Sequence, residues 1–253
     1  MPGGRFDSSK TRVAPTFDAL SLRGDLWVRD LLDLPQRNGT RNPIPEGLDL
    51  AFQRGYWGST ELGLTPPVSL LSWLLRNPDR LLQQTSEHPD RAAVLRGDPD
   101  VLGRALDLLR STPAARAWYI LEGPTFPDAV IETRDAVVVV EGKRTERGPT
   151  TSTTWLVGRH QMWRHIDAAW ERRGCRHVFG FFVVEGHQQD GTVPEPWQLA
   201  SDECISTASL STSFPHRSVL EREAIASCFL GVTTWQAIRS RFGLHESVLI
   251  PHL

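Results

Sequence analysis

Apolar and polar positions along the chain follow two periods, and the change from one to the other divides it. Between Thr16 and Pro35 the apolar residues Phe17, Leu20, Leu26 and Leu31 predict a helix with Thr16 as N-cap and Gly24 as a weak point inside it. From Arg37 to Pro67 the chain carries Asn38-Gly39, Pro43, Pro45, Gly47, Gly55, Gly58, Gly63 and Pro66. That punctuation predicts irregular connection with one short helix around Leu48–Arg54, pinned to the core by Tyr56 and Trp57. Pro67 then opens a buried helix through Val68, Leu70, Leu71, Trp73, Leu74 and Leu75, which ends near Asn77-Pro78. Asp98-Pro99 is an N-cap followed by Pro at the first helical position, ahead of Val101, Leu102, Ala105, Leu106 and Leu109 on one face, and Pro113 interrupts that helix. The first part of the chain therefore reads as a mostly helical layer.

Beyond it the period shortens. Trp118–Leu121, Asp128–Thr133 and Ala136–Val140 read as strands, and the last is apolar on both parities, which belongs to a central strand covered on both faces. A long helix from Trp155 to about Arg173 follows, with the stripe Trp155, Leu156, Met162, Trp163, Ile166, Ala169 and Trp170, capped by Thr153 or Thr154 and terminated by Gly174. His177–Val184 is another strand, so the order from Trp118 is β, β, β, α, β. Pro194 and Pro196 mark a loop, Val219–Leu230 predicts a helix, and Thr233 or Thr234 caps a last helix ending at Gly243. An antiparallel helix pair is favoured there over a DNA-reading helix-turn-helix.

Composition narrows the classes. The chain has 253 residues, 40% apolar and 23% charged, enough to bury a core, and residues 1–15 lack any period and read as a disordered tail. It has no uninterrupted apolar run of about 18 residues and no signal-like opening, so the expectation is a cytoplasmic protein with no membrane contact. Cys175, Cys204 and Cys228 are widely spaced, which encodes neither a disulfide framework nor a structural zinc site and predicts buried thiols. A net charge of −2 removes any global basic field, so contact with nucleic acid has to be local. The nine tryptophans are not periodic and predict core and groove packing.

The chemistry gathers between Phe126 and Lys143. If the two strands join symmetrically about Arg134-Asp135, Thr133 faces Ala136, Ile131 faces Val138 and Asp128 faces Glu141. Side chains so opposed have Cβ atoms about 4.5–5.5 Å apart, and two carboxylates there repel unless a cation joins them. Lys143, two residues after Glu141, projects from the same face. Glu132 shares the parity of Asp128 but is about 13 Å along the strand and falls outside that site. Oxygen ligands from Asp128, Glu141 and the Gly142 carbonyl suit Mg²⁺, with Mn²⁺ as a substitute. An ion so held, with Lys143 beside it, points to phosphodiester hydrolysis.

Pro127-Asp128, a hydrophobic hairpin, Glu141-Gly142-Lys143, then a helix and a strand resemble the PD-(D/E)xK nuclease superfamily. The resemblance implies an α+β protein with a restriction-endonuclease-like αβββαβ core at residues 98–190. It would be preceded by a mostly helical region at 16–97 and followed by a helical extension at 191–253 packed on the core. It implies a metal-dependent nuclease in which Asp128 and Glu141 hold Mg²⁺ and Lys143 assists the attacking water, leaving 5′-phosphate and 3′-hydroxyl ends. It adds Glu122 as an upstream acid and Gln161 as a helix residue orienting the lysine or substrate, although the Q-x-x-x-Y pattern of some members here reads Gln161-Met162-Trp163-Arg164-His165. The implied partner is nucleic acid, DNA favoured over RNA, with a homodimer or larger complex left open.

From Arg134 to His177 nine Lys or Arg stand against five acids, a local surplus that makes Arg144, Arg159 and Arg164 candidate phosphate contacts. The same arginines also fit the solvated face of a helix, and His160 and His165, five apart, read as polar-face residues pointing in different directions. Glu141 and Lys143 also fit an exposed ion pair at a strand end, and Asp128 a turn former. A non-catalytic module on the same fold, binding nucleic acid or protein, is the alternative function. No Walker loop, G-x-S-x-G elbow, H-E-x-x-H or dinucleotide fingerprint offers a competing chemistry.

Overall fold

In chain order the strands are β1 (Gln36–Arg37), β2 (Thr40–Arg41), β3 (Phe52–Trp57), β4 (Ala129–Thr133), β5 (Ala136–Gly142), β6 (His177–Val184) and β7 (Phe229–Thr234). The structure is a computed structural model and describes residues 9–111 and 117–245. Among the described residues one open, seven-stranded sheet runs in the order β2-β1-β7-β6-β5-β4-β3. β4 runs antiparallel to both β3 and β5, whereas β5, β6 and β7 run parallel. The helices are α1 (Ala14–Ser21), α2 (Trp27–Leu32), α3 (Val68–Arg76), α4 (Pro89–Leu95), α5 (Pro99–Ser111), α6 (Gln161–Arg172), α7 (Glu195–Cys204), α8 (Thr207–Ser213), α9 (Val219–Ala226) and α10 (Trp235–Phe242). The protein is thus mixed α and β.

Every residue of β5 is buried, because the strand has a core on each side. Ala136, Val138 and Val140 pack with residues of α1, α2 and α10, and Val137 and Val139 with residues of α6, α7 and α9. Each fully buried valine contributes roughly 1.5–3 kcal/mol. A third cluster joins α3, α4 and α5 to Tyr119 and Leu121. Among the described residues no helix is long and apolar enough to cross a membrane.

Several elements differ from the sequence expectation, each for a physical reason. Trp118–Leu121 forms no strand: its backbone carbonyls are gathered by one guanidinium, Arg91 donating to those of Trp118, Ala117 and Ile120. The outer antiparallel strand is instead β3, where a short helix at Leu48–Arg54 was expected. It pairs with β4, and the Trp57 ring lies across Gly55, where a Cβ would collide with it. The helix expected from Thr16 is broken: Thr16 lies within α1 rather than capping it, and Gly24, at φ 88°, separates α1 from α2. The tail is ordered from Ser9, since Val13 is fully buried and Arg12 pairs with Glu185 at 2.9 Å; residues 1–8 of the expected tail, and Pro113, lie outside the described residues.

α6 starts at Gln161 instead of Trp155, because Gly158 is left-handed, at φ 71°, and Arg159 turns into a buried charge cluster. The expected helix at Val219–Leu230 stops at Ala226, and β7 follows it inside the sheet. Lying between α9 and α10, β7 removes the helix-turn-helix arrangement. Pro196 sits in the first turn of α7, where a loop was expected, and Thr234 caps α10 with Gly243 left-handed at its end. Of the cysteines, Cys204 and Cys228 are buried, but Cys175 is exposed. The sheet draws β1 to β3 from the stretch read as helical and β7 from the stretch read as an appended extension.

Candidate active site

β4 and β5 pair Ala129 with Val140, Val130 with Val139, Ile131 with Val138 and Glu132 with Val137, the register expected from the symmetric turn. The Thr133 hydroxyl closes that turn by accepting from the Ala136 N–H at 2.9 Å. Asp128, one residue before β4, therefore lies opposite Glu141 near the end of β5. Its Oδ2 accepts from the Gly142 N–H at 2.8 Å. That backbone group is free to do so because Lys143 N–H, next along the chain, bonds to the Val183 carbonyl of β6. The Gly142 position admits no side chain: a Cβ would lie 2.7 Å from Val13 and 2.8 Å from Trp235.

Three donors converge on Glu141. Lys143 Nζ lies 2.8 Å from Oε1, Gln161 Nε2 donates to the same oxygen at 2.6 Å, and His165 Nε2 donates to Oε2 at 2.9 Å. Gln161 and His165 are four apart on α6 and so share one face of the helix. His160 fixes where that helix begins, accepting the Met162 N–H on Nδ1 at 3.3 Å. Two indole N–H groups hold the loop after the lysine: Trp235 donates to the Lys143 carbonyl and Trp197 to that of Glu146, each at 3.1 Å.

The electrostatics separate the two acids. Burial, and then the charge of Glu141, push the Asp128 carboxyl up to about 8. Burial also acts to raise Glu141, but hydrogen bonding and charge from His165, with Lys143, outweigh it and leave Glu141 below the ordinary carboxylate range. Burial pulls Lys143 down, but Glu141, with Asp128 and Glu146, outweighs it and holds the ammonium above its ordinary range.

The structure brings Asp128, Glu141, Gly142, Lys143 and Gln161 together. Glu122 goes elsewhere, buried within 3.3 Å of Arg159 and 3.5 Å of Arg164. Arg159 is fully buried and also reaches Asp167 at 2.8 Å and the Ser213 carbonyl at 2.7 Å, which corrects its expected role as a phosphate contact. Arg164 retains partial exposure, and Arg144 donates to the Thr11 hydroxyl at 3.1 Å. His160 and His165 are both buried, where polar-face positions were expected. His165 is the site residue that pattern reading missed, and its spacing from Gln161 was the available signal.

Whether Mg²⁺ fits can be judged from the donors. Among the described residues no three His, Cys, Asp or Glu side chains form a group able to hold a metal ion. An ion here would take two carboxylates and fill its shell with backbone and water oxygens, the habit of Mg²⁺. Two features favour it: the half-buried Asp128 carboxyl opposite the buried Glu141, and the Gln161 Oε1 atom, buried without a hydrogen-bond partner. A water at the site would satisfy that orphan acceptor. The donor set is hard oxygen throughout and fits the ion. No protein-family model, curated protein or solved structure matches this chain.

Proposed function

We propose that the protein is a metal-dependent nuclease that hydrolyses phosphodiester bonds of nucleic acid. The observation that carries the proposal is the opposition of Asp128 and Glu141 across β4 and β5, with Lys143 and Gln161 gathered on Glu141. The run β3, β4, β5, α6, β6, three antiparallel strands and then a parallel one, supports a restriction-endonuclease-like core with α3 to α5 inserted between its first two strands.

Asp128, Glu141 and the Gly142 carbonyl would hold Mg²⁺. When bound, the ion polarises the phosphodiester and lowers the pKa of a water. Lys143, whose ammonium form Glu141 favours, would donate hydrogen bonds to the attacking water or to charge building on the phosphate oxygens. Gln161, anchored through Nε2, offers Oε1 as an acceptor that orients the water. The products would be 5′-phosphate and 3′-hydroxyl ends.

One observation favours the alternative of a non-catalytic binding module: Glu141 already satisfies three protein donors without any ion. Cleavage assays on plasmid, linear duplex, single-stranded DNA and RNA, with Mg²⁺, Mn²⁺ or EDTA, separate the two. The nuclease reading expects metal-dependent cleavage that disappears in Asp128→Asn and Lys143→Ala. Cleavage that survives in both variants would overturn the assignment.

A further inference from the structure

One side chain touches both arms of the site. His165 Nε2 lies 2.9 Å from Glu141 Oε2, and its Nδ1 lies 2.8 Å from Thr125 Oγ1. Thr125 stands three residues before Asp128 and is itself pinned: its N–H donates to the Leu64 carbonyl at 2.9 Å, and its carbonyl accepts from the Leu64 N–H at 2.8 Å. The imidazole therefore joins the segment that delivers Asp128 to the strand that delivers Glu141.

Hydrogen-bond chemistry fixes the direction of the chain. A carboxylate only accepts, so Nε2 carries its hydrogen, and in the neutral ring Nδ1 accepts from the Thr125 hydroxyl. The ring is 1% exposed, which leaves no room for water to stand in for either contact. Imidazole is also rigid, so the span between its two nitrogens cannot stretch as a flexible side chain would. Gln161 comes from the same helix face but bonds only to Glu141, so it cannot bridge the two arms.

We infer that His165, held by Thr125, is the positioning residue that sets the separation of Asp128 and Glu141 and thereby makes the pair fit a small divalent cation. The inference rests on the proposed metal-dependent reading of the site and names the residue that prepares it.

The test is Mn²⁺ binding to the full chain, followed by electron paramagnetic resonance, with thermal melting recorded beside it. Wild type should bind Mn²⁺ and Asp128→Asn should not. His165→Ala should weaken binding about 10–100-fold, the usual cost of removing a residue that orients a metal ligand. His165→Gln, whose amide can still donate to Glu141, should recover part of that loss, and Thr125→Val should weaken binding less than His165→Ala. Wild-type affinity in His165→Ala, with binding lost in Asp128→Asn, overturns the inference alone. Absence of Mn²⁺ binding in wild type overturns it together with the metal reading. If His165→Ala does not fold, Thr125→Val decides, and unchanged affinity there overturns the inference.

Discussion

At the scale of single residues burial and like charge meet in the site, and Asp128 bears the cost. Its carboxyl is raised to about 8 in the folded chain from an ordinary value of 3.8, by burial and by Glu141. The sign follows from linkage: above about pH 4 the unfolded chain releases a proton that the folded chain keeps, so stability falls as pH rises from about 4 towards 8. Asp128→Asn removes that cost. In EDTA at pH 7 the variant should be more stable than wild type by roughly 1–4 kcal/mol, the gain should shrink towards pH 4, and cleavage should be lost. Denaturant melts across that range check it, and a variant less stable than wild type at pH 7 would contradict the raised Asp128 carboxyl. Gly142 answers to sterics instead. Val13 and Trp235 close over it, so Gly142→Ala should cost roughly 1–3 kcal/mol and reduce cleavage, read from melting and single-turnover rates. The opposed carboxylates were legible in the sequence because a two-residue periodicity and a symmetric turn fix which residues meet. His165 was not, because spacing on a helix says which residues share a face and not which strand that face meets.

At the scale of elements, α6 delivers Gln161 and His165 correctly only if its own position is fixed, and a buried charge cluster fixes it. Asp167 is fully buried between Arg159 at 2.8 Å and Arg217 at 3.0 Å, with His216 Nε2 at 3.2 Å. Burial acts to raise Asp167, but Arg159, His216 and Arg217 outweigh it and hold the group at about 2. Its contribution is therefore complete above about pH 4 and lost as pH falls from there towards 2. Asp167→Asn leaves two buried guanidiniums without their shared anion, which should destabilise the protein by about 3–5 kcal/mol at pH 7, or roughly 6–20 °C in Tm. The variant should also show a flatter loss of stability than wild type between pH 4 and 2. Arg159→Met should give a similar loss at pH 7, measured by denaturant melts, and an effect under 1 kcal/mol would place Arg159 outside the support of α6. Sequence reading took Arg159 for a surface cation because helical periodicity seemed to run back to Trp155. The left-handed Gly158 ends that periodicity and sends Arg159 inward, and Asp167, Ser213 and Glu122 lie 8, 54 and 37 residues away from it. Local pattern carries no record of partners at those separations.

At the scale of the whole molecule the order of the sheet decides what can be removed. β7 lies between β6 and β1, with pairing on both sides, so the C-terminal part of the chain supplies an interior strand. Gly231 makes the contact with β1 possible: at φ 106° it brings its backbone against Gln36, where any Cβ would collide with the Gln36 carbonyl. The doubly apolar β5 announced a two-sided sheet from its sequence alone. β7 did not, because Phe229–Thr234 is short, follows a helical pattern without a proline and holds a glycine in its middle, all of which weaken a strand signal. The distinction has a physical consequence. A helical extension docked on a finished core could be cut away with modest loss, whereas removing an interior strand exposes the buried faces of Phe181, Phe182 and Val183 and leaves a row of unpaired backbone groups along β6. A chain ending at residue 190 should therefore lose cooperative thermal unfolding, give poorly dispersed amide resonances and associate in solution. The substitution Gly231→Val in the full chain should move partway in the same direction by driving β1 off β7. A truncated chain that melts cooperatively as a monomer would mean that β3 to β6 form the folding unit on their own and that β7 is an addition to it.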